Sequence, residues 1–73
     1  MNLNEINNLI QRANALVKTN WLQAVYILQE ALKEEPDDLS LLVNLGDIYL
    51  ERQLYERALS YYHKAISLLP DNP

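Results

Sequence analysis

The chain has 73 residues, of which 49% are apolar, and it carries no cysteine and a net charge of −4. That is one small domain, too apolar for a disordered segment and without the thiols for a disulfide or a thiolate metal site. Four acids face three bases in residues 1–36 and six face three in residues 37–73, so neither half offers the basic surface that nucleic acid or an anionic membrane would need.

Asn2 followed by Glu5 predicts a capped helix start. Ile6, Leu9, Ile10, Ala13, Leu16 and Val17 then recur at the spacing of one helical stripe. Lys18-Thr19-Asn20 is a polar break, and Asn20 with Gln23 opens a second helix. Its stripe is Trp21, Ala24, Val25, Leu28, Ala31 and Leu32, and it ends before Pro36, since proline disfavours helix at the residue before it. Asp37 and Asp38 cap a third helix and put negative charge at its positive end. The third stripe is Leu39, Leu42, Val43, Leu45, Gly46, Tyr49 and Leu50. After a break near Gln53-Leu54, the fourth is Tyr55, Ala58, Leu59, Tyr62, Ala65, Ile66 and Leu69, closed by Pro70. The longest unbroken apolar run, Ala24 to Leu28, is far too short to span a bilayer. Met1-Asn2-Leu3-Asn4-Glu5 has neither the basic nor the apolar block of a leader, so the cytosol is the expected location.

Helices joined this closely pack as antiparallel neighbours. Ala24 and Ala58, Ala31 and Ala65, and Pro36 and Pro70 are each 34 positions apart, and Trp21 corresponds to Tyr55 at the same offset. The first and third helices align at 33 instead: Leu9 with Leu42, Ile10 with Val43, Ala13 with Gly46, Leu16 with Tyr49. The inner turn of the first hairpin is therefore expected to be one residue shorter. A helical-hairpin period of 34 marks one repeat class. The run Leu42-x-x-Leu45-Gly46-x-x-Tyr49, then Ala58-x-x-x-Tyr62, Ala65 and Pro70, resembles the tetratricopeptide repeat. The first unit keeps Ala24, Ala31 and Pro36 but departs at Arg12, where an apolar residue is usual.

The resemblance implies an all-α fold of two antiparallel helical hairpins, stacked as a short right-handed α-solenoid. Repeat 1 would cover about 2–36 and repeat 2 about 37–70, with 71–73 the start of a next helix or a tail. It also implies a protein or peptide partner. The family's concave face is lined by the first helix of each hairpin, here Ile10, Asn14, Val17 and Lys18, then Val43, Asn44, Asp47, Leu50 and Glu51. An apolar floor with a few polar groups is expected, and Asp47 and Glu51 would favour a basic ligand unless they pair with Lys18. Solenoid ends need a polar closing helix, and with none expected after the fourth, the chain is expected either to be a segment of a longer repeat protein or to bury that end against a second copy. Leu59, Tyr62, Ile66 and Leu69 are therefore expected to be uncovered and able to drive self-association. No catalytic or cofactor site is expected. His63 lacks a second ligand, Gly46 stands alone in a helix, and no serine has a base at a suggestive spacing.

Overall fold

The structure is a computed structural model, and it describes residues 1–70. The expected role of 71–73 as a following helix or tail lies outside the described residues. Four helices succeed one another: α1 (Leu3–Leu16), α2 (Trp21–Glu34), α3 (Leu39–Glu51) and α4 (Tyr55–Ser67). Three start as their caps dictate. The side chains of Asn2, Asn20 and Asp38 accept hydrogen bonds from the backbone N–H of Glu5, Gln23 and Leu41 at 2.9, 3.3 and 3.0 Å. Each satisfies a donor the helix itself cannot. The start of α4, at Leu54, has no side-chain cap.

The turn between α3 and α4 explains the two offsets. Gln53 sits in the left-handed region at φ 62°, and Leu54 N–H reaches back to the carbonyl of Tyr49 at 2.9 Å. This is a Schellman-type closure, and it uses the additional residue. The α1–α2 turn closes without any left-handed residue, through Asn20 N–H to the Leu16 carbonyl at 2.7 Å.

α1 packs on α2 and α3 on α4, while α3 also docks broadly against α2 and touches α1 only at its edge. The fold is thus the all-α, two-hairpin stack that the pattern implied. Small residues stand where paired helices approach: Ala13 and Ala24 are fully buried in the first hairpin, Gly46 and Ala58 almost so in the second. Leu28, Leu41, Leu42 and Leu45 fill the centre, each worth about 1.5–3 kcal/mol of transfer free energy.

Leu41 and Ile48 are buried although the third stripe omitted them, while Leu39, Val43 and Leu50, which it included, are exposed. The reason is that α3 has two partners. One flank meets α4 and the other α2, so its buried sector is wider than one stripe and rotated toward α2. Tyr49 sits where these contacts meet, edge-on to Trp21 at 6.3 Å and stacked on Tyr61 at 5.7 Å. Gln29 of α2 donates to the Tyr61 hydroxyl at 3.2 Å, tying the two second helices together.

Candidate partner-binding site

Side by side, α1 and α3 present the polar sectors left over after packing. Asn14, Lys18, Asp47 and Glu51 are exposed and Asn44 is half-buried, its amide held by the Ser40 carbonyl at 2.7 Å. At the carboxyl ends of the two helices, Val17, Lys18, Glu51 and Arg52 line a shallow cleft. Arg52 fixes its wall. Its guanidinium donates to the Val17 carbonyl at 3.3 Å and lies 5.2 Å from the centre of the Trp21 ring. A cation there also faces the negative end of α1. Sequence reasoning missed Arg52, because its partners come together only when the hairpins stack.

Asp47 is oriented by a short hydrogen bond from the Tyr62 hydroxyl. Burial first, then that bond and the Asp47 charge, push the Tyr62 phenol up to about 12. Neither Asp47 nor Glu51 forms an ion pair among the described residues, so the pairing with Lys18 is not made.

The apolar residues expected on this face differ in exposure. Val17 lines the shallow cleft but is itself buried, and Ile10 is half-buried. Val43 and Leu50 are 39% and 47% exposed, beside Asp47 on α3. Their helical phase falls between Gly46, which meets the Tyr62 ring, and Asp47, which meets its hydroxyl. They therefore open onto the outer end of the second hairpin, beside α4. There Leu59, Ile66 and Leu69 are 56%, 66% and 52% exposed, and Tyr55 joins them, whereas Tyr62 is half-buried. One continuous apolar end face results. Its counterpart in the first hairpin is closed: Ile6, Val17, Val25 and Leu28, at offsets of 33 and 34 from Leu39, Leu50, Leu59 and Tyr62, are all buried. The internal alignment contained this signal, since it equates Val43 with the packing residue Ile10.

Such geometry defines the class: stacked helical hairpins whose surfaces offer shape and charge. Among the described residues no cluster of metal-binding side chains occurs, and no helix is long and apolar enough to cross a membrane. Residues 40–72 match the family model described as tetratricopeptide repeat. Superkiller complex protein 3 of Mus musculus is 44% identical over 50 residues, a stretch covering 68% of this chain but 3% of that protein. Both matches support the tetratricopeptide repeat family for this chain, which spans only a small fraction of the length of that relative. No solved structure matches it. Repeats of this family generally mediate protein–protein interaction and scaffolding, and they are typically non-enzymatic.

Proposed function

We propose that this chain is a protein-interaction module that holds a partner segment against the polar faces of α1 and α3. The observation that carries the reading is that Asn14, Lys18, Asn44, Asp47 and Glu51 share one surface and have little packing role. Asp47 and Glu51, like charges one turn apart, disfavour the isolated helix by a few tenths of a kcal/mol. A basic segment would offset that, and the hydrogen bond from Tyr62 holds one of the two carboxylates in place for it. Recognition would then be electrostatic and would weaken with salt. Binding of a lysine-rich peptide, followed by fluorescence anisotropy at low salt, tests this. The double variant Asp47→Asn, Glu51→Gln should lose most of the binding, and unchanged affinity would remove these residues from the site.

A second reading, assembly of copies of the chain with no separate ligand, is favoured by the apolar end face. A contiguous exposed patch of this kind marks an interaction surface.

A further inference from the structure

We infer that the outer face formed by α2 and α4 is a second docking surface, and that it takes an acidic segment of a partner protein whose carboxylates alternate with apolar side chains. The inference goes beyond the α1–α3 reading, since it uses other residues and the opposite charge.

The face exists because α2 and α4 do not pack directly on each other. Each lies against its own hairpin partner, and α2 also lies against α3. Side chains bridge the remaining gap. Gln29 donates to the Tyr61 hydroxyl at 3.2 Å, and Gln29, Leu32, Lys33, Pro36, Tyr61 and Lys64 line a shallow cleft between the two helices. Gln29, Leu32, Lys33 and Pro36 are spaced 3, 1 and 3, one helical stripe carried just past the end of α2. Leu32 and Tyr61 are half-buried and supply an apolar floor. The cleft lies between the two hairpins, so a further hairpin stacked at either end would leave it open.

Its charge runs against that of the chain. Ten acids outnumber six bases overall, yet both charged residues lining this cleft are lysines. Their present partners hold them weakly. Lys33 meets Glu30 at 2.7 Å with both side chains exposed, and an exposed pair of this kind contributes little. The Lys64 ammonium stands 4.0 Å from Asp37, beyond hydrogen-bond distance. Tyr61 accepts from Gln29, and its own O–H has no acceptor among the described residues. Two ammonium groups and a phenol proton over an apolar floor suit a carboxylate carried next to an apolar side chain.

The internal repeat isolates the apolar part of the surface. Leu22, Tyr26, Gln29 and Lys33 recur at i, i+4, i+7 and i+11 along the outer stripe of α2, and Leu22 and Tyr26 are exposed. The α4 residues 34 later are Glu56, Ser60, His63 and Ser67, all polar and all exposed. A second helix of this fold thus needs no apolar residue at these places, and α2 carries two on the stripe that leads to Lys33.

The test uses the whole chain and two fluorescein-labelled peptides of equal net charge, one alternating glutamate with leucine and one of glutamate alone. By anisotropy at low salt, the glutamate–leucine peptide should bind more tightly. Lys33→Glu and Lys64→Glu should each weaken it about tenfold, and Leu22→Glu should weaken it severalfold, all with unchanged helical circular dichroism. Backbone amide shifts on titration should gather on α2 and α4. The double variant Asp47→Asn, Glu51→Gln should leave this binding intact, so failure of the α1–α3 site would not touch it. Lysine variants that bind like the unmodified chain, an all-glutamate peptide that binds equally well, or shifts gathered on α1 and α3 would each overturn the inference. So would inorganic phosphate that displaces the peptide at equal concentration, which makes the cleft an ion site, or phosphatidylserine vesicles that sediment the chain through these lysines, which makes it a membrane face. Shifts of the same amides on simple dilution of the free chain would make the occupant a second copy and overturn it as well.

Discussion

Gly46→Ala sets two well-known effects against each other, and the structure decides the sign. In a helix interior, alanine is favoured over glycine by about 0.8–1 kcal/mol. At this position, however, the new Cβ would lie 2.5 Å from Cε1, 2.8 Å from Cδ1 and 2.9 Å from Cζ of Tyr62. Carbon atoms prefer about 3.5–4.0 Å, so the ring must move by roughly 1 Å. The ring is not free to do so, because its hydroxyl is bonded to Asp47 and the residue is half-buried. Losing that bond costs about 1 kcal/mol, and overpacking of this kind costs about 1–3 kcal/mol. The net expectation is a loss of about 1–2 kcal/mol. With Tyr62→Ala already in place the obstacle is gone, and Gly46→Ala should then stabilise by up to about 1 kcal/mol. A double-mutant cycle by urea denaturation, followed by helical circular dichroism, measures the coupling, expected at about 2–3 kcal/mol against an additivity error of about 0.3–0.5 kcal/mol. An excluded osmolyte such as TMAO keeps the weakest variant folded. If Gly46→Ala stabilises the unmodified chain, or shifts both backgrounds equally, the close approach of α3 and α4 at this point is wrong.

Two further outcomes are expected. Asp38→Ala removes the acceptor for the Leu41 N–H and should cost about 1 kcal/mol, while Asp38→Asn should recover most of it; equal losses in the same urea titration would mean the cap contributes nothing. The Tyr62 phenol is raised from 10.0 to about 12 in the folded chain, so its neutral form is favoured by folding. That stability is whole below the unfolded value and is lost as pH rises from about 10 to 12. Tyr62→Phe should flatten this alkaline decline, and an identical pH profile for both chains would show that Asp47 and burial do not act on the phenol.

The helices were legible because their signals are local. Caps at Asn2, Asn20 and Asp38, breaks at Pro36 and Pro70, and apolar spacing each act within a turn or two of chain. The hairpin stack was legible because the repeat records it: what lies 34 apart takes equivalent places. The candidate site depends on signals that are less local. Ile10, Val17, Val43 and Leu50 were grouped with Asn14 and Asp47, since on a lone helix they are neighbours. Which of them meets a second helix depends on how far α3 turns toward α2, and that is set by Leu41 and Ile48, residues outside the single stripe. Arg52 illustrates the same limit. Nothing near it in sequence announces that it will hold the end of α1 and cover Trp21.

The two ends of the stack differ in a way that bears on what the chain does. Helix α1 carries Asn8, Arg12 and Ala15 at the places where α3 carries Leu41, Leu45 and Ile48. The helical spacing is the same, so secondary structure does not require the change; what differs is the medium each face meets. Polar groups at α1 match solvent, as a solvated repeat end should. At the other end, Leu59 and Ile66 keep the apolar character that Val25 and Leu32 have at the covered face. Were water the intended neighbour there too, polar residues would lower the free energy of that end and cost the hairpin nothing, because these side chains touch little within it. That contrast between the two ends is what supports reading the apolar end as an interaction surface.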